Sequence, residues 1–178
     1  MYTVLTLAFA SLIAQTGGLN DKNSPVAEKM KALSFMVGEW EGEGWMQMGP
    51  QERKTVKVKE SVRLKLSGKA LLVEGLGTSK TSEGGEETVV HEALAVITWD
   101  SKKEQYSMRA ITAKAGAVDP KVEVDGQSLV WSFDTPVGGA VRYMIKLNEK
   151  GQWFEIGEFS RDGKEWNKFF EMTLSKMK

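Results

Sequence analysis

Two side chains in this sequence stand where their chemistry could be used, a carboxyl group and an imidazole. Glu60 interrupts an apolar face in a stretch of alternating residues, so the period-two pattern points its carboxylate inwards. The other residues of that face are Val56, Val58, Val62, Leu64 and Leu66. His91 is the only histidine, and it shares a face with Ala93, Ala95, Ile97 and Trp99. An unpaired buried group would cost roughly a few kcal/mol, so we expect each to meet the other, a water or a ligand.

Both residues also have ordinary structural interpretations. A lone histidine without a partner at metal-ligand spacing is more often a satisfied core residue, and a β-bulge could turn Glu60 outwards. A catalytic triad would depend on His91 alone, and no Gly-x-Ser-x-Gly motif occurs. Glu39, Glu41 and Glu43 alternate along one strand face, which is typical of a solvated outer surface rather than a cation site. We therefore assign no catalytic and no metal-binding residues.

Aromatic side chains recur through the second half of the chain. They could line a pocket for a hydrophobic ligand, or they could simply fill a barrel interior. The alternation near the C-terminus places Phe170, not Phe169, on the apolar face together with Met172 and Leu174. The residues predicted to contact a ligand are Glu60, His91, Trp99, Thr112, Trp131, Tyr143, Phe159 and Phe169.

Composition excludes several classes of function. The chain has 178 residues, 24 basic and 24 acidic side chains, and no cysteine. A disulfide framework, a thiol nucleophile and a zinc ribbon are therefore excluded. The zero net charge removes the usual electrostatic case for nucleic acid as a partner. A basic stripe is present, but it falls where an outer strand face should be polar: Lys54, Lys57, Lys59, Arg63 and Lys65.

The N-terminal residues predict export. Val4–Ala14 is an apolar stretch too short to span a bilayer as a helix but typical of a secretory signal. Small residues at plausible cleavage positions follow it, so residues 1–18 are interpreted as a signal peptide. The processed protein would then be periplasmic or extracellular, with no membrane insertion. The alternative is that this stretch forms a buried strand or helix of the fold.

The remaining residues, 24–178, predict one all-β domain preceded by a short helix. Ser24-Pro25 is a favourable helix start, because serine is a good N-cap and proline suits the first helical position. After Gly38 the apolar period becomes two. The predicted strands are Glu39–Met48, Lys54–Leu66, Lys69–Gly77, Thr88–Trp99, Glu104–Ala113, Lys121–Val124, Ser128–Asp134, Ala140–Leu147, Gln152–Ser160 and Glu165–Leu174.

The connections between these strands predict their arrangement. Almost all are too short for a crossover helix, and Asp125-Gly126 and Asp162-Gly163 are strong hairpin signals. Consecutive strands should therefore pair antiparallel. About ten such strands predict a closed up-and-down barrel, which leaves no open edge, whereas an immunoglobulin-like sandwich would need longer connections.

Several motifs, in this order, resemble one family of barrels. The segment Leu33–Gly44 (LSFMVGEWEGEG) resembles the opening of calycin barrels, in which a short helix leads into a Gly-x-Trp first strand. The later motifs are Lys59–Val62, Gly68–Leu72, His91 ahead of Trp99-Asp100, and a closing hairpin from Asp162 to Lys176. The similarity is to the nitrobindin-like branch and to a related bacterial family of unknown function, and it covers Ala32 to Lys176.

The resemblance implies an internal cavity, which in nitrobindins holds a haem bound by a histidine of the last strand. Phe169 occupies that position here, and phenylalanine cannot ligate iron. His91 matches a family position that faces the cavity from the opposite side. We therefore expect no haem and no other cofactor.

Three functions are compatible with these observations. The first is an exported lipocalin-like or nitrobindin-like barrel that binds a small hydrophobic ligand in its interior. The second is an enzyme that uses His91 and Glu60 as an acid–base pair, and the third is a filled barrel that acts through its surface. The first is favoured because no complete catalytic constellation occurs. The residue pattern leaves the oligomeric state open.

Overall fold

The structure is a computed structural model that describes residues 21–49, 52–80 and 85–178. The predicted signal peptide, residues 1–18, lies outside this part of the chain. The predicted helix is present as α1, Pro25–Met30, and continues as a 3₁₀ helix, Lys31–Met36. Its start follows the sequence signal, since the Ser24 hydroxyl accepts a hydrogen bond from the Ala27 N–H at 3.2 Å. No described helix is long and apolar enough to cross a membrane.

Apart from a short 3₁₀ segment at Leu66–Gly68, all other regular structure of the described residues is β-strand, as predicted. The strands are β1 (Gly38–Gln47), β2 (Arg53–Lys65), β3 (Ala70–Lys80), β4 (Glu87–Asp100), β5 (Gln105–Thr112), β6 (Gly116–Val118), β7 (Lys121–Asp125), β8 (Ser128–Asp134), β9 (Ala140–Leu147), β10 (Trp153–Ser160) and β11 (Asn167–Lys176). Ten of them match the predicted segments to within a few residues. The additional strand, β6, has three residues, too few to show an alternating pattern.

The strands form one antiparallel sheet in the order β6-β5-β4-β3-β2-β1-β11-β10-β9-β8-β7. The first and last strands pair with each other, while β6 and β7 are the two edges of the sheet. The predicted closed barrel of ten strands is therefore wrong, because the sheet curls into an open half-barrel. Two local features explain the opening. β6 folds back on the last three residues of β5, and Pro120, between β6 and β7, has no N–H to donate to a ladder.

The pairing register defines the inner face of the half-barrel. Trp40 on β1 lies beside Glu60 on β2, which lies beside Gly75 on β3. Leu64 and Leu66 were predicted on this face, but they are 42% and 74% exposed. The reason is that β2 ends at Lys65, where Leu66 turns into a short 3₁₀ segment with a positive φ of 51°.

The N-terminal helices close one end of the half-barrel. Met30, Leu33 and Met36 are buried in the core, and the Trp40 indole N–H donates to the Met36 carbonyl at 2.8 Å. The Tyr106 hydroxyl on β5 donates to the Lys29 carbonyl at the same distance. These bonds anchor the helices to both sides of the sheet, so the closed end is tightly packed.

The outer face of β1 and β2 is charged and self-complementary. The Lys59 ammonium lies 3.5 Å from the Glu41 carboxylate, and Lys57 lies 3.3 Å from Glu87. Exposed pairs of this kind contribute about 0–1 kcal/mol each. Their effect is a solvated surface on which both charge signs are balanced locally.

Candidate functional site in the half-barrel interior

Two carboxyl groups face the interior from opposite parts of the sheet. Glu60 occupies the middle of β2, and Glu155 occupies β10 between Ile145 of β9 and Met172 of β11. They are near enough for the negative charge of Glu155 to raise the pKa of Glu60. We call Glu60 and Glu155 the carboxyl pair.

Glu60 is held against the backbone of the neighbouring strand. A Cβ atom placed on Gly75 would lie 2.6 Å from Glu60 Oε1, so the carboxyl group occupies the space that a side chain would fill. Its Oε2 atom is buried and has no hydrogen-bond partner among the described residues. Burial, followed by the charge of Glu155, raises the pKa of Glu60 to about 8. Glu60 therefore carries a proton at neutral pH and offers one oxygen for a partner.

Glu155 is 7% exposed and has one defined partner. Its Oε2 accepts a hydrogen bond from the Trp153 indole N–H at 3.0 Å. Trp153 in turn packs edge-on against Trp40, with ring centroids 5.8 Å apart. Burial raises the pKa of Glu155 to about 7, although the Trp153 hydrogen bond acts in the opposite direction. The carboxyl pair is thus poised to change its protonation close to neutral pH.

Five aromatic rings on β8, β9 and β11 form a second component of the site. They are Trp131, Phe133, Tyr143, Phe169 and Phe170, and we call them the aromatic cluster. Trp131 stacks on Tyr143 with centroids 4.2 Å apart, and Phe133 stacks on Trp131 at 5.9 Å. Burial and the charge of Glu155 raise the pKa of Tyr143, which places its hydroxyl near that carboxyl group. All five residues remain partly exposed, so solvent reaches the cluster.

A β-bulge resolves the positions of Phe169 and Phe170. Gly157 pairs with Phe170 and Glu158 pairs with Lys168, which leaves Phe169 as the extra residue. Both phenylalanine rings consequently contact Tyr143, at centroid distances of 5.7 and 6.0 Å. A Cβ on Gly157 would lie within 3.1 Å of the Tyr143 ring, the Phe169 ring and the Phe170 Cβ, so this glycine makes their convergence possible.

His91 occupies a different position from the carboxyl pair. It pairs with Gly77 across β3 and is exposed. Partial desolvation and the positive charge of Lys114 lower its pKa below the usual range. No hydrogen bond joins His91 to Glu60 within the described ranges, so the two groups do not form the contact that the sequence suggested.

Three other predicted site residues have structural contacts. Trp99 packs edge-on against Tyr106 at 5.0 Å, with the Lys29 ammonium 4.7 Å from its ring, at the closed end. The Thr112 hydroxyl accepts from the Ala115 N–H at 3.0 Å and holds the turn after β5. The Phe159 ring lies against Gly139 in the turn between β8 and β9. Of the eight predicted residues, Trp131, Tyr143 and Phe169 lie in the aromatic cluster, and Glu60 is linked to it through Glu155.

Glu155 is the residue that the sequence prediction missed. It alternates on β10 with Trp153, Gly157 and Phe159, so the parity argument applied to Glu60 would also have found it. A metal is not suggested by the arrangement, because no group of three or more potential ligand side chains occurs in residues 21–49, 52–80 and 85–178.

A groove opens along the sheet next to Glu60. Its volume is about 580 Å³, and it extends over β2 to β5 between charged residues and apolar ones such as Leu76, Leu94 and Ile111. These three leucine and isoleucine side chains are 37–41% exposed. Glu60 of the carboxyl pair and its neighbour Gly75 line this groove, whereas none of the five rings of the aromatic cluster does.

Comparisons with known proteins give the fold only. No family model matches the chain, and no curated protein matches it. Among solved structures, it is similar to the crystal structure of Rv2717c from M. tuberculosis, with a TM-score of 0.61 and 10% sequence identity. The match covers 86% of this chain and 99% of that chain. The class defined by fold and site is therefore an antiparallel β half-barrel with an acidic and aromatic interior.

Proposed function

We propose that this protein binds a small, largely hydrophobic molecule in the half-barrel interior, against the aromatic cluster and with the carboxyl pair as its polar anchor. The observation that carries the proposal is the buried Glu60 Oε2, which has no hydrogen-bond partner in the described part of the chain. A buried polar atom of this kind costs about 1–3 kcal/mol, and a ligand group would recover that free energy.

The aromatic cluster supports the same proposal from the apolar side. Stacked, partly exposed rings such as Trp131 and Tyr143 offer flat surface for a ligand to cover. The resemblance of the motifs to calycin barrels, whose interiors hold ligands, agrees with this interpretation. Residues 1–18, as a signal peptide, would make it an exported binding protein.

Catalysis by Glu60 and His91 is the weaker alternative. His91 is exposed, and the charge that acts on Glu60 is that of Glu155. Two interior carboxyl groups beside aromatic rings favour binding over an acid–base pair that includes the imidazole. The nitrobindin activity is not proposed either, because Phe169 stands where that family has its haem ligand and packs against Tyr143.

A fluorescent titration tests the proposal. We expect N-phenyl-1-naphthylamine, a neutral apolar probe, to bind saturably and with increased emission. Trp131→Ala should weaken that binding by about tenfold or more, since it removes the stacking surface on Tyr143. The matched control is Trp45→Ala, because Trp45 lies on the outward-facing side of β1, against Arg53.

Two results would contradict the proposal. One is an absence of saturable binding to the folded wild-type protein, with folding verified by far-ultraviolet circular dichroism. The other is an equal loss in Trp131→Ala and Trp45→Ala, which would place the probe outside the interior. If Trp131→Ala unfolds, Phe133→Ala provides a second interior variant, and it should also weaken probe binding because it removes a ring that stacks on Trp131.

A further inference from the structure

We propose, resting on the binding function above, that the ligand is an organic cation whose positively charged nitrogen lies between Glu60 and Glu155 and whose apolar body contacts the aromatic cluster. The charge of the interior and the geometry of its hydrogen-bond acceptors narrow the ligand from any hydrophobic molecule to an apolar amine.

Among the described residues, the interior around the carboxyl pair contains two acids and no basic partner for them. The inner face around the pair is made of residues such as Trp40, Val58 and Ile145, and no cation contributes to the pKa shift of either carboxyl group. The outer acids differ, since Glu74 pairs with Arg63 and Glu158 with Arg142. A ligand cation would supply the missing opposite charge in the interior.

The carboxyl pair also provides a hydrogen-bond acceptor that needs a donor. Glu155 Oε2 already accepts from Trp153, whereas Glu60 Oε2 is buried without a partner among residues that the structure describes. An ammonium group carries two or three N–H donors and no acceptor, so it matches carboxylate oxygens that need donors. A neutral alcohol could satisfy one oxygen but would leave the charge of an ionised pair uncompensated.

The aromatic cluster offers ring faces to the same ligand. The faces of Trp131 and Tyr143 are stacked 13° from parallel, and such faces attract cations as well as apolar groups. Tyr143 lies near enough to Glu155 for the two to interact electrostatically. Tyr143 pairs with Gly157, two residues along β10 from Glu155, so the aromatic cluster begins on the same face beside that carboxyl group and suits a cation with an apolar body.

The charged and titratable groups around the pair determine the pH dependence. Glu155 faces Glu60 from β10, and Tyr143 on β9 lies near Glu155. Ala93 is the neighbour of Glu60 across β3, and the exposed His91 lies two residues before Ala93 on β4. On β11, the Lys176 ammonium lies 5.3 Å from the Trp40 ring, at the closed end. Because the pair is protonated below about pH 7, a bound cation must displace protons, and its affinity should rise with pH.

The experiment compares two probes of the same shape by isothermal titration calorimetry. They are 1-naphthylmethylamine, which is an ammonium ion at neutral pH, and 1-naphthalenemethanol, which is uncharged. We expect the amine to bind about tenfold or more tightly than the alcohol at pH 8, and its affinity to increase between pH 6 and pH 8. Proton release on binding at pH 6, measured in two buffers of different ionisation enthalpy, should accompany the amine only.

Variants locate the charge that the amine recognises. Glu60→Gln should reduce the preference for the amine to about threefold or less while the alcohol still binds, since glutamine keeps the shape and loses the charge. Glu155→Gln should have the same direction and serves if Glu60→Gln does not fold. Glu43→Gln, on the exposed outer face of β1, should leave both affinities unchanged.

The outcomes separate this inference from the proposed function. If the alcohol binds as tightly as the amine, or the amine affinity falls as pH rises, the ligand is not a cation, although interior binding stands. If neither probe nor N-phenyl-1-naphthylamine binds, both proposals are overturned. An amine preference that survives Glu60→Gln and Glu155→Gln would place the cation elsewhere and also overturn the inference.

Discussion

Glutamate side chains on the two faces of the sheet lie in opposite electrostatic environments. On the outer face, Glu74 pairs with Arg63, and Glu158 accepts a hydrogen bond from the Arg142 Nε–H at 2.8 Å. On the inner face, Glu60 on β2 and Glu155 on β10 have no such partner among the described residues, and their pKa values are raised. Residue type therefore does not set the chemistry of these groups. The side of the strand on which each one lies does.

The largest expected effect comes from removing the aromatic support of the inner pair. Trp153→Ala should destabilise the protein by about 3–5 kcal/mol, because it removes a buried ring from Trp40 and the N–H donor from Glu155. Trp45→Ala, which removes a ring from the outward-facing side of β1, should destabilise the protein far less. Urea unfolding followed by circular dichroism measures both, and equal losses would show that the two faces are not distinct energetically.

The pH dependence of stability should be dominated by the inner face. Both inner carboxyl groups have folded-state pKa values above their unfolded value of 4.5, so their stabilising contribution is complete below pH 4.5 and is lost as pH rises towards 7 and 8. Relative to wild type, Glu60→Gln should gain stability between pH 5 and pH 8, by an amount on the order of a few kcal/mol. Urea unfolding at several pH values measures this difference.

Glu43→Gln is the matched control for that measurement, since Glu43 is exposed on the outer face. Its unfolding free energy should follow the wild-type pH profile. A constant difference between Glu60→Gln and wild type across this pH range would mean that Glu60 is ionised in the folded protein.

The fit between Glu60 and Gly75 provides a smaller effect. Gly75→Ala should destabilise by about 1–3 kcal/mol, because the new Cβ would lie 2.6 Å from Glu60 Oε1. In a Glu60→Ala background the clash is absent, so the same change should cost much less. A double-mutant cycle from urea unfolding measures the coupling, and additive effects would contradict the contact.

The smallest expected effect concerns the uptake of haem by the protein. We expect no stoichiometric haem uptake, since Phe169 packs on Tyr143 and offers no ligand atom. Absorbance titration measures it, and a Soret band that reaches one haem per chain would contradict the expectation. Loss of that band in His91→Ala would then identify His91 as the ligand.

The sequence predicted the strands and the inner face well where alternation is long. Ten strands and the inward direction of Glu60 follow from period two, because Val58 and Val62 on either side of Glu60 are buried. Leu66 was misplaced because a strand pattern does not show where the strand leaves the core. Glu155 was missed although its alternation with Trp153 and Gly157 carried the same signal.

The open barrel and the grouping of the site needed the structure. Closure depends on the three-residue strand β6 and on Pro120, whose effect appears only when β6 pairs back onto β5. The proximity of Glu60 to Glu155 arises because β1 pairs with β11, a contact between the two ends of the chain. Local patterns predict which face a residue occupies, but they do not predict which distant residue shares the interior with it.

Direct titration of the carboxyl groups by ¹³C NMR tests the difference between the two faces most directly. Following the side-chain carboxyl carbons of glutamate, with Glu60→Gln and Glu155→Gln for assignment, we expect the inner pair to titrate with apparent pKa values of about 8 and about 7. Titration of Glu60 and Glu155 near the ordinary glutamate value of 4.5 would contradict the assignment of a protonated carboxyl pair to the interior.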